Sequence, residues 1–164
     1  WSLVLTDAKG RVAVGAGRVS SPGGAVEIQS VDADAQESGK AATWTGAGDA
    51  SVAIAGPAAD FVRQTNGDMA LSLRFRVDRP PEAPVGLDLQ CDGKTCASLD
   101  VSRLIGAAPV GQWRSVRIKL ACFRGQGVDL SKVTAPLVLH TAGRFGLSFA
   151  DAELVANSGG AVCP

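Results

Sequence analysis

Apolar and polar positions alternate most cleanly in Met69-Ala-Leu-Ser-Leu-Arg-Phe-Arg-Val77. Met69, Leu71, Leu73, Phe75 and Val77 share one side, while Ala70, Ser72, Arg74 and Arg76 share the other. That two-residue period predicts a half-buried β-strand. After the rigid break Pro80-Pro81-Glu82-Ala83-Pro84, a second strand is predicted where Val85, Leu87, Leu89 and Cys91 alternate with Gly86, Asp88, Gln90 and Asp92. A third spans Ser115 to Cys122, with Val116, Ile118, Leu120 and Cys122 opposed to Ser115, Arg117, Lys119 and Ala121. Less regular strands are expected near Ser2 to Thr6, Val26 to Val31, Ala42 to Thr45, Ser51 to Ala55, Pro136 to Thr141 and Phe145 to Phe149, a total approaching nine. Leu137, Val138 and Leu139 are apolar on both faces, as in a central covered strand. Short helical turns are expected at Ala58 to Arg63, Val101 to Ile105 and Asp129 to Lys132, with Asp100 or Ser102 and Asp129 as caps.

Twenty Gly and eight Pro punctuate these runs and leave no room for a long helix. Many short strands separated by turn residues predict an all-β fold, an antiparallel β-sandwich or jelly roll. With 164 residues and 46% hydrophobic content, the chain is sized for one domain with its own core. Residues 1–25 read as linker and first strand, with Gly15 to Ala25 an exposed connection, and residues 26–164 as the sandwich core. The chain opens at Trp1 with neither an initiator Met nor a secretory pattern, so it reads as a mature or excised piece of a larger enzyme.

Sixteen Lys+Arg balance sixteen Asp+Glu. A net charge of zero provides no bulk attraction to nucleic acid or anionic membrane. Charge-free runs such as the eleven residues Val133 to Gly143 fall short of the ~20 that span a bilayer. The even set Cys91, Cys96, Cys122 and Cys163 in a turn-rich chain favours two disulfides and an oxidising compartment, periplasmic or extracellular. Of three connectivities, locality favours Cys91 with Cys96, leaving Cys122 for Cys163. On the chain-entropy relation these contribute roughly 2 and 4 kcal/mol. Zinc is the rival, weakened because Cys122 and Cys163 have no companion ligands nearby.

Catalytic signals are sparse. The single histidine, His140, lies in an apolar strand, and no Gly-x-Ser-x-Gly elbow accompanies it, so it reads as an ordinary strand residue. Sixteen acids offer carboxylate pairs for glycoside hydrolysis, but nothing in the sequence sets two of them opposite a sugar. Asp32-Ala-Asp34-Ala-Gln36-Glu37 loosely resembles a calcium loop. Without an EF-hand Gly and Glu in register, a solvated loop is the favoured reading and structural calcium the lesser one. With aromatics at 5% and no Tyr, a broad stacking platform is excluded. Trp44 and Trp113 read first as core residues; by alternation Trp113 shares the side of Ser115 and Arg117, so it faces outward or is shifted by a bulge.

Taken jointly, Gln36-Glu37, Thr43-Trp-Thr-Gly46, Asn66-Gly-Asp-Met-Ala-Leu71, Phe75-Arg-Val-Asp78, Cys91 and Cys96, Gln112-Trp113, Leu120-Ala-Cys-Phe123 and Gly127-Val-Asp-Leu130 carry a resemblance. From about residue 28 to Phe149 the chain resembles the C-terminal galactose-binding-like domain of bacterial family 3 glycoside hydrolases, exo-acting β-glucosidases and glucan glucohydrolases. The resemblance implies a sandwich packed on catalytic domains that hold the nucleophile and acid, hence no hydrolysis and no cofactor in this chain. It also implies a loop at the rim of the sugar site. Gln36 and Glu37 match the family's Gln-Glu motif and are the candidate contacts to β-glucan or glucoside, together with Trp44 on the adjoining strand. The rivals are an autonomous carbohydrate-binding or protein-interaction module of the cell envelope and an independent jelly-roll enzyme.

Overall fold

Residues 1–33, 38–63, 68–124, 129–156 and 159–164 are described by the computed structural model. Their strands are β1 (Ser2–Asp7), β2 (Gly10–Ala13), β3 (Val19–Ser20), β4 (Val26–Asp32), β5 (Ser38–Thr45), β6 (Ala50–Ala55), β7 (Met69–Arg79), β8 (Gly86–Cys91), β9 (Lys94–Asp100), β10 (Trp113–Lys119), β11 (Val133–Thr141) and β12 (Arg144–Ala156). They form two six-stranded sheets. The first runs β2-β1-β6-β11-β8-β9 and the second β10-β7-β12-β5-β4-β3.

The alternating runs become the inner faces. Leu71, Phe75 and Val77 of β7 pair with Leu154, Phe149 and Leu147 of β12 across an antiparallel ladder. They meet Val52, Leu87, Leu137 and Leu139 of the first sheet in one buried cluster. Burying side chains of this size stabilises by roughly 1.5–3 kcal/mol each, which makes this layer the source of the fold's cohesion. Residues 1–25, expected as linker and first strand, supply β1, β2 and β3. Of these, β1 inserts between β2 and β6 in the first sheet, and its Leu5 is fully buried.

Two short helices lie wholly within the described residues, α1 (Ser102–Gly106) and α2 (Ala121–Arg124), with a 3-10 turn at Leu130–Lys132. Asp100 Oδ1 accepts from the Ser102 amide ahead of α1, and Asp129 caps the 3-10 turn through the Ser131 amide. The strand expected to reach Cys122 stops at Lys119, and Cys122 lies in α2 instead. Cys91 is joined to Cys96 and Cys122 to Cys163, with Cα atoms 5.6 and 5.7 Å apart. All four thiols are thereby committed, and no free cysteine is left to bind zinc. The second bridge holds the C-terminal segment where Val162 exchanges backbone hydrogen bonds with Arg117 and Lys119 along the outer edge of β10.

Candidate functional site

The outward face of the second sheet gathers the richest mixture of ring, cation and carboxylate. Register places Trp113 opposite Arg76 and Ser115 opposite Arg74, and carries Arg76 on to Ser148 and Arg74 on to Ala150. Arg74 and Arg76 project away from the core, because Phe75 between them is buried within it. The two guanidinium carbons lie 5.2 and 5.3 Å from the Trp113 ring centroid, within cation–π range. The far edge of the indole ends beside Gly39, 3.6 Å from where a Cβ there would stand. Gly39 lies three strands away, on the order of 14 Å in a flat sheet. The contact therefore shows the sheet curling toward this side.

Two bulges aim acids into the hollow. On β7 the pairing steps from Arg79↔Gly146 to Val77↔Leu147, so Asp78 is an inserted residue; on β12 it steps from Ala150↔Arg74 to Glu153↔Ser72, inserting one residue around Asp151. Asp151 is one of two non-glycine residues with positive φ among those described, at +51°, a conformation that bulges exploit to redirect a side chain. Arg76 Nε stands 2.6 Å from Asp78 Oδ1, and its Nη2 donates to Ser148 Oγ at 3.3 Å. Ser148, fully buried, donates in turn to Asp78 Oδ2 at 2.5 Å. The triangle locks Arg76 and Asp78 into one geometry. Arg74 Nη1 lies 3.9 Å from Asp151 Oδ2. Near Asp151 a cavity of about 240 Å³ opens between the layers, where Gly39, Lys40 and Phe149 of the second sheet meet Leu3 and Ile54 of the first.

The residues singled out from the sequence fall unevenly on this arrangement. Gln36 and Glu37 lie outside the described residues, as does Asp34 of the suggested calcium loop. The segment that carries them joins β4 to β5, whose closing pair is Asp32↔Ser38, next to the cavity. Trp44, a candidate sugar contact, is placed in the core instead. It is 1% exposed, stacks on Phe145 with centroids 5.2 Å apart, and donates from Nε1 to the Ala50 carbonyl at 2.8 Å. Its ring and its polar atom are therefore both committed inside the sandwich. The site residues that sequence reasoning misses are Arg74, Arg76, Asp78, Ser148 and Asp151. The polar positions of β7 are visible in the alternation, but the bulges and the cross-strand register that unite them are not.

A second polar cluster lies on the outward face of the first sheet. His140 Nδ1 stands 3.4 Å from Asp49 Oδ1 and its Nε2 3.4 Å from Asp88 Oδ1. Nε2 is buried without a well-formed hydrogen bond, so its attachment to Asp88 is ionic. The Asp88 carboxylate, and less so Asp49, holds the imidazole above its ordinary value against the opposing effect of burial. Burial pushes Asp88 up, but His140, Ser98 and Thr95 outweigh it and leave its carboxyl below the usual range. Ser98 donates to Asp88, and Nε2 of the imidazole has no hydroxyl partner. The arrangement therefore lacks the serine-to-histidine contact of a hydrolytic triad. Among the described residues, no group of three or more His, Cys, Asp or Glu is placed to hold a metal ion.

A family model of galactose-binding-like domains, Exop_C, matches residues 1–154. The chain belongs to this family. This Exop_C domain is similar in fold to the extra C-terminal domain of the exo-1,3/1,4-β-glucanase ExoP from a Pseudoalteromonas species, with a TM-score of 0.74 and 20% identity over 98% of this chain and 89% of that one. Within the full glucanase the matching region is 20% of the longer chain. The family 30 carbohydrate-binding module of the cellulosomal cellulase Cel9D-Cel44B of Clostridium thermocellum matches with a TM-score of 0.65 and 15% identity, covering 82% of this chain and 83% of that one. At these identities the likeness establishes the shared β-sandwich of the Exop_C domain. No curated protein matches it.

Proposed function

We propose that this Exop_C domain is a non-catalytic accessory module of a periplasmic or secreted family 3 β-glucosidase, packed on the catalytic part and lending a polar rim to its β-glucan site. The observation that carries the reading is the curled face around Trp113, where Arg74, Arg76, Asp78 and Ser148 are held in a fixed array next to the β4–β5 connection bearing Gln36 and Glu37. Guanidiniums donate to sugar hydroxyls and carboxylates accept from them. With two cations against its ring, Trp113 is a positioning residue here rather than a stacking platform. Such a face completes a site built elsewhere. The family membership and the likeness to a glucanase's C-terminal domain support the assignment of context.

In the longer enzyme that this reading implies, Arg76→Ala should lower kcat/KM on laminarin. The loss of a charge-assisted bond, about 1.5–3 kcal/mol, corresponds to roughly tenfold or more. The 164-residue chain alone should not hydrolyse aryl β-glucosides. Unchanged kinetics in Arg76→Ala, or turnover by the isolated chain that vanishes on mutating one of its acids, would overturn the proposal.

A further inference from the structure

The second sheet ends at β10, and that edge is only partly covered. The Arg117 carbonyl accepts from the Val162 amide at 2.8 Å, and the Lys119 amide donates to the Val162 carbonyl at 3.1 Å. The backbone groups of the odd-numbered residues of β10 therefore point away from β7. Strand alternation turns the N–H and C=O of Ser115 and the N–H of Arg117 the same way. None of these groups has a hydrogen-bond partner among the described residues. Val162 meets the strand in a single parallel bridge opposite Ile118. A turn at 159–160, with Gly160 at φ +76°, carries the segment off before it reaches Ser115, and the Cys122–Cys163 bridge fixes it there. The chain's own C-terminal segment thus shows that this edge takes a strand, and where its cover stops.

Cations stand along the same strand. Arg114, Arg117 and Lys119 are exposed, and none of them forms an ion pair among the described residues. Exposed cations on an edge strand ordinarily keep sheets from joining. Here they act against one partner in particular, because a second copy of β10 laid on the first would set like charges against one another across the strands. A strand carrying Asp or Glu would instead add opposite-charge cross-strand pairs to the main-chain hydrogen bonds. The edge is closed to its own copies and open to an acidic strand.

Position narrows the source of that strand. β10 begins at Trp113, so a strand laid beside Ser115 and Arg117 would extend the second sheet next to the face assigned to the rim of the sugar site. On that assignment, this flank of the module is the one turned toward the catalytic part. We propose that the bare edge of β10 accepts an acidic extended segment of the catalytic part of the parent enzyme, which pairs as a further strand of the second sheet. The proposal rests on the reading of this chain as an accessory module and adds the docking edge and the chemistry of its partner.

The test is amide hydrogen exchange, resolved to single residues, in the 164-residue chain and in the longer enzyme. The Ser115 and Arg117 amides should exchange freely in the isolated chain and roughly tenfold more slowly in the enzyme, where each gains a hydrogen bond. Ser115→Pro removes an edge-facing N–H and leaves the ladder to β7 intact, since proline is tolerated on an edge strand where its N–H would face solvent. It should change the melting temperature of the isolated chain little and abolish the slow exchange at Arg117 in the enzyme. The charge reversal Arg117→Glu/Lys119→Glu should abolish the slow exchange at Ser115. Equal exchange in chain and enzyme would overturn the proposal, and so would slow exchange that survives the charge reversal. Slow exchange that grows with the concentration of the isolated chain would assign the edge to a second copy instead. A large fall in melting temperature in Ser115→Pro would mean that the Ser115 amide is already paired within the domain. The rim reading fails by a separate measurement, the kinetics of Arg76→Ala in the longer enzyme, so the two failures are distinguishable.

Discussion

The outward faces of the two sheets use one device with opposite charge. On the second sheet an indole is laid across to Gly39 and flanked by two guanidiniums; on the first, an imidazole is laid over Gly86 and flanked by two carboxylates. Each ring crosses toward a glycine on another strand, but only Gly86 is needed to seat one: a Cβ there would stand 2.1 Å from the imidazole, whereas a Cβ at Gly39 would lie 3.6 Å from the indole, an ordinary contact. The difference lies in what holds the ring. The negative π-face of Trp113 attracts the two guanidiniums through its ring electrons, without a proton of its own to gain or lose. His140 attracts carboxylates only as fully as it is protonated. The first face is therefore a pH-independent surface, suited to meeting a ligand, and the second is a titrating brace between β11, β8 and the start of β6.

The largest way to break the comparison is to fill the floor under the imidazole. A Cβ at Gly86 would stand 2.1 Å from His140 Nε2, so Gly86→Ala must expel the ring from its place above Asp88. Overpacking of this kind destabilises by about 1–3 kcal/mol. Urea unfolding should show that loss in Gly86→Ala and recover much of it in the double variant Gly86→Ala/His140→Ala, where no ring competes for the space. If the two substitutions are merely additive, the ring and the glycine are not coupled as described.

A smaller effect is expected on the opposite face. Trp113→Ala removes two cation–π contacts of about 0.5–1 kcal/mol each at a partly exposed site, so stability should fall by about 1–2 kcal/mol. The loss should be the same at pH 6 and pH 9, because a cation–π contact made by arginine does not depend on a proton. A strongly pH-dependent loss would mean that the charges around Trp113 include a titrating group, and the contrast between the faces would collapse.

How much of this is legible in the sequence depends on whether the relevant contact is local. Met69 to Val77 and Val85 to Cys91 announce their strands because alternation is a property of neighbouring residues, and the five-residue spacing of Cys91 and Cys96 announces a local bridge. β9 escapes such a reading. Lys94-Thr-Cys-Ala-Ser-Leu-Asp100 lies at a sheet edge, where only one flank is paired and apolar alternation is not required. β12 continues to Ala156, beyond the expected Phe149, because the bulge at Asp151 switches its phase and hides the second half from a period-two reading. Trp44 between two threonines gives no sign of which side is buried. The answer comes from Phe145, roughly a hundred residues on and directly opposite it across the sheet. His140 reads as an ordinary strand residue for the same reason: Asp49 and Asp88, which define its chemistry, arrive from other strands and loops.

The smallest effect expected is also the sharpest test of the contrast, because it concerns sign rather than size. His140 is held above its ordinary value of about 6.5 by Asp88 and Asp49, so the stability it contributes is fully present below that value and lost as pH rises through its folded-state value. Asp88 is held below its ordinary value of about 3.8, so its contribution is present above that value and lost as pH falls through its folded-state value. Together they predict maximal support between roughly pH 4 and 6.5. His140 is about a third exposed, with 31% of its side chain accessible against 11% for Asp88. Solvent screening therefore limits the effect to about 0.2–1 kcal/mol. Thermal melts should show Tm falling modestly from pH 6 to pH 9 in the native chain, and that slope should flatten in His140→Gln, which keeps a polar side chain of similar reach but cannot titrate. A slope of the same size in His140→Gln would assign the pH dependence elsewhere and leave the imidazole a neutral filler over Gly86. A Tm that instead rises from pH 6 to pH 9 would mean that burial outweighs the two carboxylates and that His140 sits neutral in the folded protein.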